Sequence, residues 1–535
     1  MFSKRTKKDK ESLIEGFGRI KDEEFDFDSI ERYFKNKDNS SAFQVISDKT
    51  CNDIDFHELF MFLDRTSSKV GQQYLYNKLR TVSADRSKVE NNEQLINEFL
   101  INDELRIKTQ LQLSKLNDSD SFYLTSLFQD KHIEPPKWFS IAPFLSFSSA
   151  LIVLLSIIKI QIILLLPLII IVNLIIHYWN KKNLQHYLYS MSKLLIINSV
   201  AKNFFAVDKL KTVNPDLHNS IKIIDSLKRR MAFFSFENKI ISDLDALFYW
   251  IIEFVKITFL LEPILLFNVL KRIETKKSQI EDVFKYVGKV DCFISIASLR
   301  KGVYEYCIPN IFSDSIEIVA EQVYHPLIID CVRNSINTNS RSVLLTGSNM
   351  SGKSSFIRTI AVNALTALTL NTCFAKSFAL PLLKIHSAIR ISDDLMNDKS
   401  YYFEEVLTIK EMIGYSQTDS CHLFLLDEIF KGTNTVERIS AGKAVLSALQ
   451  NNSNIVFVST HDIELAELLK HEYDLYHFSE KINFDMVDFD YKLKSGKLKN
   501  RNAIRILEIN GYPIEVIEEA IVIAKKMDAK EPVEY

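Results

Sequence analysis

Residues 342–354 read Ser-Val-Leu-Leu-Thr-Gly-Ser-Asn-Met-Ser-Gly-Lys-Ser. An apolar, β-branched run stops at a glycine, and five residues later a second glycine is followed by lysine and serine. Phe356-Ile357-Arg358-Thr359-Ile360-Ala361 then starts an apolar pattern with helical spacing. Strand, glycine-bounded loop and helix in that order are the context a phosphate-binding loop requires. Gly347 and Gly352 allow backbone conformations that turn successive N–H groups inward as an anion nest. The helix start adds the positive end of its dipole. Residues Gly347, Ser348, Asn349, Met350, Ser351, Gly352, Lys353, Ser354 and Ser355 are therefore candidate nucleotide-binding residues. Lys353 is expected to reach the β- and γ-phosphates, and the Ser354 hydroxyl to ligate Mg²⁺.

Two downstream strands complete the pattern. Leu423-Phe424-Leu425-Leu426 runs into the paired acids Asp427-Glu428. Asp427 is expected to hold Mg²⁺ with Ser354, and Glu428 to orient or deprotonate an attacking water. Ile455-Val456-Phe457-Val458-Ser459 is a further buried strand, ending in Thr460-His461. A histidine there can hydrogen-bond a γ-phosphate, so Lys353, Glu428 and His461 form the expected catalytic set, with ATP and Mg²⁺ as cofactors.

At this point the sequence resembles the MutS family of DNA mismatch repair ATPases. Thr346-Gly347-Ser348-Asn349-Met350-Ser351-Gly352-Lys353-Ser354 is similar to that family's T-G-P-N-M-x-G-K-S, and Asp427-Glu428-Ile429-Phe430-Lys431-Gly432-Thr433-Asn434-Thr435 to its D-E-x-x-x-G-T-S/N-T. Ser400-Tyr401-Tyr402-Phe403-Glu404-Glu405 resembles the signature helix S-T-F-x-x-E, with Tyr401 and Tyr402 departing from the pattern. In the family this serine reaches the γ-phosphate held by the other subunit, so the resemblance implies a composite site, a trans role for Ser400 and a homodimer. Tyr324-His325-Pro326-Leu327 matches the family's adenine-contacting segment, which implies that Val332 packs on the base and Asn334 hydrogen-bonds beside it. Leu63-Asp64-Arg65-Thr66-Ser67-Ser68-Lys69-Val70-Gly71 is similar to the D-R-T-x-T-x-x-G that opens the family's helical core. Ala503-Ile504-Arg505-Ile506 with Asn510-Gly511-Tyr512-Pro513 resembles its closing segment. The likeness is strong over 323–527, patchy over 53–80 and 181–320, and absent between.

That gap holds the most unusual stretch. Across 139–179 the strongly polar interruptions are Lys159, Gln161, Asn173 and His177. A hydrocarbon core about 30 Å thick takes about 20 apolar residues in a helix. Twice that length with Lys159-Ile160-Gln161 near its centre reads as two spans, 139–158 and 160–178, joined by a tight turn. Lys131 and Lys137 precede it, and Lys181 and Lys182 follow it, which places both ends in the cytoplasm. A buried hairpin in a soluble core is the competing reading, but soluble helices seldom stay apolar on all faces for so long. A later apolar stretch, 246–270, contains Glu253, Lys256 and Glu262 and reads as packing helices, because charges at bilayer depth are expensive.

The expected fold is thus an α/β P-loop ATPase domain of the ABC/MutS type at the C-terminal side. It is joined to an all-α, lever- or clamp-like core that a two-helix transmembrane hairpin interrupts. The boundaries read as a basic tail (1–50), the first part of the core (51–135), the hairpin (136–180), the second part of the core (181–320), the ATPase domain (321–500) and a C-terminal helical dimerisation segment (501–535). Twelve glycines and eleven prolines in 535 residues favour long helices. Six scattered cysteines, without a C-x-x-C pair, point to reduced thiols rather than a disulfide or metal framework. The formal net charge is −2, so DNA contact needs a local patch such as Lys228, Arg229 and Arg230.

About 50 residues precede the core segment, too few for a mismatch-sensing wedge domain, and no room for a nuclease domain is expected after Tyr535. The expected function is ATP binding and hydrolysis by a dimer tethered to the cytoplasmic membrane through 139–178, with the ATPase domain in the cytoplasm and mismatched or branched DNA as partner. The alternative is a membrane-anchored ATPase motor or scaffold with no DNA-binding role. A transporter is disfavoured, because two spans offer few intramembrane polar groups.

Overall fold

The computed structural model describes residues 2–228, 231, 246–312, 315–348, 350–390, 401–451, 453–483, 486–497 and 503–528. Asn349, Arg229, Arg230 and Ser400, singled out above, lie outside the described residues. The chain folds as two compact units. One comprises Met1–Ser41, Leu63–Lys78 and Arg86–Gly302; the other comprises Ala42–Phe62, Leu79–Asp85 and Val303–Tyr535.

The second unit is built on a six-stranded sheet. Its elements in chain order are β1 (Ser342–Thr346), α1 (Lys353–Leu370), β2 (Lys384–Ala388), α2 (Tyr401–Ser416), β3 (His422–Asp427), α3 (Thr435–Gln450), β4 (Ile455–Thr460), α4 (Ile463–Leu469), β5 (Tyr473–His477) and β6 (Lys494–Ser495). The strand order is β6-β5-β1-β4-β3-β2, with β6 antiparallel at one edge and the other five parallel. Parallel strands covered by helices on both faces are buried twice over, which is why they read as unbroken apolar runs. Val343, Leu344 and Leu345, Leu423 to Leu426, and Val456 to Val458 are all fully buried. Register sets the site: Thr346 pairs with Thr460, and Ser459 with both Leu345 and Asp427. The loops leaving β1, β3 and β4 therefore start at one level, at the carboxyl ends where ligands of such sheets bind.

Residues 42–62 and 79–85 belong to this unit rather than to the helical core. Gln44–Val45 pairs with Thr81–Val82, and the Gln44 amide exchanges hydrogen bonds with the backbone of Ile385. Buried Asp53 then caps the end of β2, accepting from Ser387 Oγ (2.6 Å) and from the N–H groups of Ile389 (3.0 Å) and Arg390 (2.7 Å). A four-stranded sheet, Asn310–Phe312, Ser377–Pro381, Val319–Val323 and Asn334–Asn337 in that spatial order, lies in the same unit.

The first unit is helical. Its longest element, Leu166–Phe205, runs for 40 residues, so the helix that holds most of the expected second span continues well beyond residue 178. No glycine or proline follows Pro167 before residue 206, so the change from apolar to polar composition is not a break in the helix. Before it, Ala142–Ser156 forms a helix with proline in its first turn. Lys137–Ser156 and Ile160–Leu184 are long and apolar enough to cross a membrane by length and composition, and only 17% and 22% of them is buried. The Asp64 motif forms a polar knot. Asp64 accepts from Thr66, Gln72 and Lys21, while Ser67 N–H and Ser68 Oγ donate to Asp291 of the helix Lys277–Gly302. Burial raises the Asp291 carboxyl to about 7.

His386, in the middle of β2, and His422, at the amino end of β3, stack and share a hydrogen bond of 3.0 Å. Burial, then neighbouring positive groups, lowers His386 to about 3 and His422 to about 4. Folded-state values below the unfolded one mean that the unfolded chain takes up protons first as pH falls below about 6.5, so stability is lost from there down. The melting temperature of the β1–β6 unit is expected to drop by roughly 5 °C or more between pH 7 and 5. In His386→Phe that pH dependence should be visibly shallower, as read by calorimetry across the pH series.

Candidate nucleotide site at the carboxyl ends of the central strands

Gly347 leaves β1 with φ +151°, and a Cβ there would sit 2.8 Å from both the Phe478 carbonyl oxygen and Ser351 Oγ. The loop thus closes against the residue that follows β5 in a conformation that side chains rarely adopt. At its far end Gly352 leads into α1, whose first residue, Lys353, is buried. The Lys353 ammonium donates to the carbonyls of Gly347 and Ser348, both at 2.9 Å, folding back over the loop it follows. Burial lowers its pKa, although Glu428 and Asp427 act in the opposite sense.

Ser354 Oγ donates to Asp427 Oδ2 at 2.5 Å, and the other Asp427 oxygen accepts from Ser459 Oγ. Register explains this, since Ser459 is the β4 partner of Asp427. An aspartate and a serine hydroxyl in direct contact form an all-oxygen pair suited to a hard divalent cation such as Mg²⁺, which also draws ligands from water and phosphate. Among the described residues no group of three or more His, Cys, Asp and Glu side chains could hold a metal alone.

The next residue, Glu428, has φ +51° and donates its N–H to the Ser459 carbonyl at 3.0 Å. Its carboxylate is held on both sides, by His461 Nε2 and by Lys431 Nζ at 2.7 Å. Burial pushes Glu428 up, but hydrogen bonds and charge from His461 and Lys431 outweigh it and hold the carboxyl at about 2. His461, expected to face a γ-phosphate, is thus placed on Glu428.

Behind this loop, Glu405 of α2 accepts the Phe430 N–H, and Tyr402 packs so closely that a Cβ on Gly432 would meet its Cβ at 2.9 Å. The signature helix is therefore latched to the β3 loop of its own chain. Asn434 caps α3 by accepting the Glu437 N–H at 3.0 Å, and Thr433 Oγ1 donates to Glu437 at 2.7 Å.

A cavity of about 490 Å³ joins these parts, with Val332, Asn334, Met350, Lys353, Glu428 and Tyr491 in its wall. Asn334 spends its amide on the chain, donating to the Tyr491 carbonyl (3.0 Å) and accepting from Leu493 N–H (2.8 Å). His325 is buried in the same segment and lowered to about 4, first by burial and then by Arg358. The structure brings together Gly347, Ser348, Ser351, Gly352, Lys353, Ser354, Ser355, Asp427, Glu428 and His461, with Val332 and Asn334 in the cavity wall. Sequence reasoning missed Lys431, Ser459, Glu480, which accepts from Ser348 Oγ at 2.9 Å, and Tyr491. Lys431, three residues from Glu428, was findable; Glu480 and Tyr491 carry no local signal.

A parallel sheet with a glycine-bounded loop after one strand and paired acids ending another defines the class: an α/β domain of the doubly wound kind. The MutS domain V family model matches residues 343–528. The DNA mismatch repair protein MutS of Aquifex pyrophilus is 29% identical over 256 residues, 46% of this chain and 29% of that protein. Its counterpart in Petrotoga mobilis is 30% identical over 268 residues, 47% and 32% of the two chains. That of Staphylococcus epidermidis is 28% identical over 283 residues, 50% and 32%. Over this part of the chain the similarity is to the MutS family, and the match spans about a third of the length of these curated relatives.

Gly347→Ala is expected to destabilise this unit by about 1–3 kcal/mol, through backbone strain and the contact with Phe478. Chemical denaturation of the variant beside the unsubstituted protein measures it.

Proposed function

We propose that this chain binds Mg²⁺·ATP at the carboxyl ends of β1, β3 and β4 and hydrolyses it as a membrane-tethered dimer. The observation that carries the reading is the pairing of Ser354 with Asp427 one residue from the Glu428–His461 contact. The loop N–H groups and the α1 terminus receive phosphate charge. Lys353 would exchange its loop carbonyls for β- and γ-oxygens, and Ser354 with Asp427 would hold Mg²⁺, which when bound would neutralise phosphate charge. A carboxylate held near 2 is a poor proton acceptor at neutral pH, so Glu428 serves better to orient water than to deprotonate it. Each of its oxygens keeps a second lone pair for a water while His461 and Lys431 stay in place, and slow turnover is expected. Val332 and Asn334 border the space assigned to adenine.

The dimer and the trans role of Ser400 rest on the family resemblance, with α2 as the element that would carry them. The tether rests on the two long apolar helices and their exposure; Phe144, Ile157 and Ile158 are 74–85% exposed. Flanking lysines favour both ends in the cytoplasm, with the ATPase domain there. The helical unit then provides the levers that the nucleotide cycle moves. The relatives are named DNA mismatch repair proteins, and on that ground mismatched or branched DNA is proposed as partner. The net charge of −2 and the hairpin favour a second reading, a membrane-anchored ATPase motor or scaffold without a DNA role.

Lys353→Ala is expected to lower ATP turnover by at least about 100-fold, and Glu428→Gln to lose turnover while retaining nucleotide binding. Phosphate release and binding of a fluorescent nucleotide read the two effects, and unchanged hydrolysis in Lys353→Ala overturns the assignment. Titration of the detergent-solubilised protein with duplex, mismatched and branched DNA separates the two partner readings. Binding that weakens steeply with salt supports DNA. No binding at low salt, with ATPase activity intact, supports the membrane ATPase.

A further inference from the structure

The helix Ala246–Phe259 meets the helix Leu261–Ile273 at Leu260, whose φ of +46° breaks the helical path. A helix that ends leaves carbonyls without partners. Here two side chains of the hairpin supply partners: Asn173 Nδ2 donates to the Thr258 carbonyl at 2.8 Å, and Ser146 Oγ to that of Phe259 at 2.7 Å. A turn bathed in water has no need of this, whereas non-helical backbone at membrane depth has to be satisfied by protein. Asn173, the polar interruption of the second apolar stretch, thereby acquires a purpose.

The charges that argued against membrane contact for this segment face the hairpin. Lys256 and Glu262 are each 3% exposed and paired at 2.8 Å. Lys256 also pairs with Glu253 at 3.0 Å, Glu253 with His177 at 3.1 Å, and Glu262 accepts from Asn180 at 2.8 Å. The outward face of the same helix is apolar: Trp250, Ile251 and Phe254 are 69%, 50% and 53% exposed.

Depth follows from helix geometry. Trp138 and Trp179 stack edge to face, 5.2 Å apart, at the outer ends of the two apolar stretches of the hairpin. Asn173 lies six residues inward from Trp179, about 9 Å, and Thr258 lies eight residues beyond Trp250, about 12 Å. Since Asn173 and Thr258 touch, Trp250 stands within about 3 Å of the level of the other two. All three tryptophans of the chain thus share one level, as at a membrane–water border. Fourteen residues of helix span about 21 Å, too little to cross a core of about 30 Å.

We infer that residues 250–260 form a re-entrant element that enters the near leaflet of a lipid bilayer beside the hairpin and turns back at Leu260. The partner of the Trp250–Ile251–Phe254 face is lipid, and the Glu253–Lys256–Glu262 cluster locks the element onto His177 and Asn180 at headgroup level. This rests on the hairpin being in the membrane, and the test separates the two.

Three single-tryptophan variants, each with the other two tryptophans changed to phenylalanine, are reconstituted in phosphatidylcholine vesicles with and without lipid brominated high on its acyl chains. The expected result is that Trp250 loses at least about half of its emission, as Trp138 and Trp179 do, because all three sit at the interface. Quenching of Trp138 and Trp179 with Trp250 unaffected overturns the re-entrant element and leaves the tether standing. No quenching at any of the three overturns both. Labelling of the unsubstituted protein by a photoactivatable phosphatidylcholine gives the same answer without substitution: modified peptides from 250–260 support the element, and modification of the hairpin alone refutes it.

Discussion

The candidate site depends on strand register. Asp427, at the end of β3, reaches Ser354 of α1 and Ser459 of β4 only because β1, β4 and β3 lie side by side, parallel and in step. A one-residue slip of β3 would turn Asp427 to the other face of the sheet and exchange it with Glu428. The unbroken apolar runs in these strands therefore do more than form a core; they fix which of two adjacent acids meets the serine and which meets the histidine.

A second constraint is the double restraint on Glu428. One carboxylate bound by both an imidazole and an ammonium is firmly ionised and firmly placed, and neither property suits a proton acceptor. The same loop is fastened to α2 through Glu405 and Tyr402. Movement of α2 is thereby coupled to the loop that carries Glu428, through contacts made within one chain.

Much of this was legible in the sequence. The glycine-bounded loop, the paired acids and His461 follow strands that advertise themselves by continuous hydrophobicity, and the structure gathers them. What was not legible came from distance or from shortness. Asp53 caps a strand more than 330 positions away, and the Gln44–Val45 strand is two residues long, so neither leaves a periodic trace. The cavity wall at Tyr491 is held by Asn334 across 157 positions. The length of the helix Leu166–Phe205 is not marked in the composition either, because polarity changes near Trp179 while helix-forming capacity does not.

That long helix has a mechanical corollary. From Leu166 to Phe205 it measures about 60 Å with no proline or glycine joint after its first turn. A rod of that kind conveys torque and inclination along its axis instead of dissipating them in a hinge. If lipid grips its apolar half, as proposed, a thinner or thicker bilayer would reset its angle, and the polar half would swing with it.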